Sequence, residues 1–161
     1  MNKTTKNLLA FGVSIVGVLV TAAVVQKNVI SPVVISGKSM NPTLANGDRG
    51  YVNLCVLKFR SPKNGEIIIF RDNIDKELVV KRVIGVPGDK ISIQFSRVYV
   101  NGKLLDESYL NKGTLTAPRN FNNLTLRPNE YFMMGDNRKD SLDSRNYGPI
   151  SIKDILGIFV W

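Results

Sequence analysis

Two residues of this 161-residue chain could act as a nucleophile and its base, Ser39 and Lys81. Ser39 stands in Ser36-Gly37-Lys38-Ser39-Met40-Asn41-Pro42-Thr43-Leu44, and Lys81 in Glu77-Leu78-Val79-Val80-Lys81-Arg82-Val83-Ile84-Gly85-Val86-Pro87-Gly88-Asp89. The chain has no histidine. That excludes a Ser-His-Asp triad and any His-ligated metal. A serine hydroxyl still needs a base, and a lysine held neutral by burial is the remaining side chain with suitable chemistry. Leu78, Val79, Val80, Val83 and Ile84 make an almost continuous apolar run, the pattern of a buried strand. Alternation puts Lys81 on one face with Val79 and Val83, and Arg82 on the other. Desolvation would pull the amine down from about 10.4, and the charge of Arg82 is expected to push the same way. Ser39 follows an apolar strand end, and Pro42 interrupts pairing just after it. Its hydroxyl is thus expected at a strand-to-loop junction that a substrate backbone can approach. Taken alone, these residues leave ordinary alternatives open: a strand lysine with a solvated head, and a turn serine satisfying nearby backbone groups.

The elements that must position this pair read as short strands and turns. Candidate strands are 33–35, 50–57, 66–70, 78–84, 90–94, 97–100, 130–134 and 155–161. Asn101-Gly102, between Val98-Tyr99-Val100 and Lys103-Leu104-Leu105, is a hairpin signal. Asn64-Gly65 and Pro87-Gly88-Asp89 mark two further turns. The spacing predicts a mainly β, antiparallel domain. Residues 106–129 are polar and carry Pro118 and Pro128, which predicts a surface excursion with one short strand near 123–126. Asn123-Leu124-Thr125 is a formal glycosylation sequon, a pattern frequent by chance. Upstream, Leu8 to Val25 is a run of 18 residues without a charge. At about 1.5 Å per residue it reaches about 27 Å, near the thickness of a hydrocarbon core. A cleavable signal peptide would normally have a shorter apolar region. The expected organisation is a short N-terminus at 1–7, a transmembrane anchor at 8–26 and a β-rich domain at 27–161. Lys3 and Lys6 favour a cytoplasmic N-terminus, although Lys27 weakens that bias.

Composition is that of a folded domain, with 43% hydrophobic and 22% charged residues. The net charge of +9 suits either nucleic acid or anionic lipid. The basic residues are scattered and no nucleic-acid motif is present, so a lipid bilayer is the expected partner and nucleic acid is not. The single cysteine, Cys55, excludes an intramolecular disulfide and sits in an apolar setting that suits a small hydrophobe better than a nucleophile. No grouping of cysteine and carboxylate has metal-ligand spacing, so neither metal nor cofactor is expected.

The Ser39 and Lys81 segments resemble the serine and lysine boxes of type I signal peptidases, membrane-bound Ser-Lys proteases that remove signal peptides. Asn64-Gly65-Glu66-Ile67-Ile68-Ile69-Phe70 resembles that family's strand between the boxes. Gly135-Asp136-Asn137-Arg138-Lys139-Asp140-Ser141-Leu142-Asp143-Ser144-Arg145 resembles its last box, and the apolar N-terminal run its anchor. The likeness covers nearly the whole chain and is greatest to the compact Gram-positive form. It implies a signal-peptidase/LexA-like β fold behind one transmembrane helix, with the catalytic domain on the outer side of the cell membrane. It implies Ser39 as nucleophile and Lys81 as general base, acting through an acyl-enzyme formed on Ser39. Ser141 would hydrogen-bond and orient the lysine. Asp143 and Arg145 would form an ion pair beside the site, sharing a face if extended, and Asp136 would belong to the same network. The Ser39 N–H would be the first oxyanion donor. Some members place a second, serine donor where this chain has Gly37, so that donor is open here. Implied substrates are secretory pre-proteins with small residues at −1 and −3, added as a strand to the edges 33–36 and 78–81; Ile35 and Val79 are candidates for the pocket walls. A LexA-type self-cleaving protease and a catalytically inactive membrane-tethered β domain are the competing readings. An anchor where a DNA-binding domain would sit disfavours the first, and the retained Ser39 and Lys81 disfavour the second.

Overall fold

A computed structural model describes residues 2, 13–14, 29–72 and 77–161. The expected anchor at 8–26 lies outside the described residues, apart from Val13 and Ser14. Among the described residues no helix is long and apolar enough to cross a membrane.

Among the described residues, eleven strands build two antiparallel sheets. The larger contains β1 (Ile30–Val34), β2 (Arg49–Asn53), β3 (Ile67–Arg71), β4 (Leu78–Gly85), β9 (Glu130–Met134), β10 (Ile150–Ser151) and β11 (Ile155–Val160). Its order is β1-β2-β11-β3-β4-β9-β10. The apolar runs Ile67–Phe70 and Val83–Ile84 occupy its middle because both faces there are covered. Pro32 lies in β1, an edge strand, where a missing N–H is tolerated. The smaller sheet, in the order β7-β6-β5-β8, contains β5 (Lys90–Gln94), β6 (Arg97–Val100), β7 (Lys103–Leu104) and β8 (Asn123–Thr125). Ile84, Phe132 and Met134 of the large sheet pack with Ile91, Val98 and Leu126 to join the two. Gly85 permits this contact, since a Cβ there would lie 2.5 Å from Ile91 Cδ1.

Several boundaries differ from the sequence reading. The expected strand at 50–57 stops at Asn53, whose Oδ1 accepts from the Cys55 and Val56 N–H groups at 3.1 and 3.0 Å and turns the chain into a 3-10 turn at Val56–Lys58. The strand expected from 33 begins earlier, at Ile30, and pairs through Val34. β10 and a four-residue helix, α1 (Ser144–Tyr147), have no counterpart in the expected elements.

Candidate active site

β4 is central to the site because two neighbours cover different halves of it. β3 pairs with residues 78–82, whereas β9 pairs only with Arg82–Gly85. Among the described residues the Leu78–Lys81 half therefore keeps one free backbone edge. The turn carrying Ser39 packs beside that edge, held by Met40 and Leu44, which are buried with Ile35, Ile67 and Phe159. Lys81 is 4% exposed, and its Nζ donates to Ser39 Oγ at 2.8 Å and to the Val80 carbonyl at 3.0 Å. Burial lowers its pKa below the ordinary lysine value; the carboxylates of Asp143 and Asp72 oppose the shift without cancelling it. The expected contribution of Arg82 to this lowering is corrected by its surroundings. Arg82 turns to the opposite face and is engaged by Asp136, with Nε to Oδ1 at 2.9 Å and Nη2 to Oδ2 at 2.6 Å. Such a fork-to-fork pair largely neutralises the guanidinium.

The loop after β9 supports the turn from behind. The Asn137 N–H donates to the Ser39 carbonyl at 2.9 Å, and Asn137 Nδ2 donates to the Lys38 carbonyl at 3.2 Å. Gly135 makes this approach possible, because a Cβ there would run into Ser141 Oγ and the Ser39 carbonyl. Its N–H donates to Asp143 Oδ2 at 3.0 Å. Asp143 and Arg145 form an ion pair at 2.8 Å with both side chains fully buried. The segment that carries the pair is not extended: Asp143 is the N-cap of α1 and also accepts from the Arg145 N–H. Burial would raise the Asp143 carboxyl, but the Arg145 hydrogen bond and charge outweigh it and hold the pKa low. Asp136 belongs to the Arg82 pair and to a hydrogen bond from Thr43 Oγ1, and it meets the Asp143–Arg145 pair through the backbone at Arg138. The implied hydrogen bond from Ser141 to Lys81 is not formed. The Ser141 hydroxyl is buried beside Gly135 and the Asp143 carboxylate without a well-formed hydrogen bond, and the lysine amine is turned to Ser39 and Val80.

Three supporting residues were missed in the sequence. Arg138 is 2% exposed, with Nε to the Gly135 carbonyl at 3.0 Å, Nη1 to Thr116 Oγ1 at 2.8 Å and an ion pair to Glu107 at 2.6 Å. The Tyr109 ring lies 3.9 Å from the Arg82 guanidinium, and its hydroxyl accepts from Arg138 Nη2 at 3.3 Å. Burial pushes the Tyr109 phenol up to about 12, so it stays neutral. Arg119 Nη1 donates to the Ser141 carbonyl at 2.8 Å. Glu107, Tyr109 and Arg119 all lie in the polar excursion, where no sequence period marks a residue that points inward.

Ser39 and Lys81 open into a cavity of about 350 Å³ walled by the segments 33–37 and 77–81. Ile35 and Val79 both line it. Among the described residues no hydrogen bond uses the Ser39 N–H. Gly37 offers no side chain, and its N–H is already given to Asn46 Oδ1 at 2.9 Å. No group of histidine, cysteine or carboxylate side chains suited to a metal occurs among the described residues.

The sequence profile described as "Signal peptidase, peptidase S26" matches residues 8–161. The chain belongs to this family. It is 37% identical to signal peptidase I S of Bacillus subtilis strain 168, over 94% of this chain and 86% of that one. It is likewise 37% identical to signal peptidase IB of Staphylococcus aureus, over 94% of this chain and 87% of the relative. The fold is similar to the crystal structure of a signal peptidase I from Enterococcus faecalis V583, with a TM-score of 0.53 and 27% identity over 63% of this chain and 98% of that one. As a member of the peptidase S26 family, the protein is a serine endopeptidase with an antiparallel β fold.

Proposed function

We propose that the protein removes signal peptides from secretory pre-proteins, with Ser39 as nucleophile and neutral Lys81 as general base. The observation that carries this reading is the 2.8 Å contact between Lys81 Nζ and Ser39 Oγ at the mouth of a cavity lined by two strand segments. Lys81 takes the Ser39 proton as Oγ attacks the scissile carbonyl. The C–N bond then breaks, the new amino terminus leaves with the proton, and water hydrolyses the acyl-enzyme with Lys81 again as base. The Ser39 N–H, unused among the described residues, is the first oxyanion donor. A water or a further backbone N–H would be the second. The free edge of β1 and the unpaired half of β4 offer backbone groups on both sides of an extended substrate. The walls around Ile35 and Val79 suit small side chains at −1 and −3.

Asp143 with Arg145, Asp136 with Arg82, and Ser141 fix the loop that backs the nucleophile. Ser141 acts on Lys81 through the packing of this loop. The uncharged run Leu8–Val25 supports one membrane span, with residues 1–7 inside the cell and the peptidase domain, from residue 27 on, facing outward.

The test is cleavage of a purified pre-protein by the full chain in detergent. Ser39→Ala and Lys81→Ala are each expected to abolish processing, since neither half of the pair works alone. Lys81→Arg is expected to be equally inactive, because a guanidinium does not give up its proton near neutral pH. Substantial turnover by any of the three would remove the dyad.

A further inference from the structure

A second and larger cleft, of about 760 Å³, begins where the dyad cavity ends. The cavity is bounded by Ser39 and Met40; the cleft takes up at Asn41 and Pro42, and at Asn137, which holds the Ser39 carbonyl. The two share no lining residue. Four ionic side chains reach the cleft besides neutral ones, and two are already neutralised: Asp136 by Arg82 at 2.6 Å and Arg138 by Glu107 at 2.6 Å. Arg119 and Lys139 remain. The guanidinium of Arg119 donates only to neutral acceptors, the Ser141 carbonyl at 2.8 Å, Asn146 Oδ1 at 2.7 Å and the Lys139 carbonyl at 3.2 Å. Lys139 is exposed. Among the described residues no ion pair engages either cation. Asp140, next in the chain, does not line the cleft. Past Asn111, Thr114 and Leu115 the cleft continues into another of about 460 Å³, where Arg97 and Lys112 likewise have no ion pair among the described residues. A concave path with uncompensated charge of one sign concentrates the field along it.

We propose that this basic path receives the substrate residues that follow the scissile bond, and that Lys139 and Arg119 favour acidic side chains there. The inference rests on the peptidase reading above. An extended chain cut at Ser39 has its preceding residues between the β1 and β4 edges and must leave across the nucleophile turn. The cleft that starts at Asn41, Pro42 and Asn137 is the continuation open to it.

The test uses the full chain in detergent and three pre-proteins identical up to the cut. After it, they carry Asp, Gln or Lys in the first few positions. At low salt kcat/KM is expected to fall from the Asp to the Gln to the Lys substrate in steps of roughly two- to fivefold, and the spread should shrink in high salt. Lys139→Gln should narrow the spread and Lys139→Glu should reverse part of it. The Kd values of the same three substrates for Ser39→Ala should rise from Asp to Gln to Lys, without turnover. Equal kcat/KM and equal Kd for the three, or a ranking that Lys139→Glu does not move, would overturn the proposal. A Gln substrate bound by Ser39→Ala yet uncut by the unaltered chain would count against the peptidase reading, while the Kd ranking still decides the cleft. Vesicles of phosphatidylglycerol that raise kcat/KM through Lys139, with no discrimination among the substrates, would assign the path to lipid and sink it.

Discussion

Lys81 places an opposing term in the stability of the fold. Burial lowers the folded pKa from the ordinary 10.5, so the unfolded chain holds the proton more tightly than the folded one. The resulting penalty is full below the folded pKa, shrinks between the two values and vanishes above 10.5. Lys81→Met keeps most of the stem and removes the charge. It is expected to be inactive yet more stable than the unaltered protein at about pH 7, with the gain fading as the pH nears the unfolded lysine value. Loss of the hydrogen bond to Ser39 Oγ would subtract about 1 kcal/mol from that gain. Equilibrium unfolding of both proteins at the two pH values measures the difference. A Lys81→Met protein clearly less stable near neutral pH would mean that the amine is charged and paired in the fold, and the general-base role would lose its physical support. The sequence displayed this residue well, because an isolated lysine in an apolar run is visible locally. Arg82 was harder to read: its partner Asp136 lies 54 residues away, and only the fold brings the two together.

Between strands β7 and β8 the polar excursion braces the site. Tyr109 stacks on Arg82, and Glu107 and Thr116 hold Arg138, whose Nε fixes the Gly135 carbonyl behind Ser39. Tyr109→Phe keeps the ring and gives up one hydrogen bond, so it is expected to behave nearly as the unaltered protein. Tyr109→Ala loses the ring over the guanidinium and its packing, a cost of about 2 kcal/mol in unfolding free energy. Its kcat should fall further than its KM rises, since the disturbed residues back Ser39 and Lys81 and leave the β1 and β4 edges intact. Thermal unfolding together with steady-state kinetics checks both parts; a variant of lowered stability and unchanged kcat would make the brace purely structural. Elements with a strong local signal were legible beforehand. β4 was one, and the Asn101-Gly102 hairpin another, with φ of 53° and 76° as that turn requires. Its neighbour was not: Phe95 and Ser96 turn the chain from β5 to β6 at φ of 49° and 58° without the glycine or asparagine that would announce it. α1 spans four residues, too few for a helical period to appear.

At the scale of the molecule, Ser39 precedes β2, Lys81 lies in β4 and the backing loop follows β9, so the site exists only when the large sheet is complete. None of these groups comes from the uncharged run at 8–25, which separates the chemistry from its delivery. If that run anchors the enzyme beside membrane-held pre-proteins, its effect is on encounter: tethering raises the effective concentration of enzyme and substrate without adding a contact. A fragment beginning at Lys27 is then expected to cut a soluble signal-peptide substrate with nearly the kcat of the full chain. On a pre-protein reconstituted in vesicles the same fragment should fall behind by on the order of tenfold or more in kcat/KM, with the deficit reduced in detergent, where both chains lose the shared surface. Unfolding of the fragment, followed in parallel, shows whether the domain is intact. A folded fragment inert toward the soluble peptide would mean that residues before Lys27 help to build the catalytic site. Equal rates on vesicles would mean that the basic domain reaches the membrane by itself, through the charge that gives the chain its net +9.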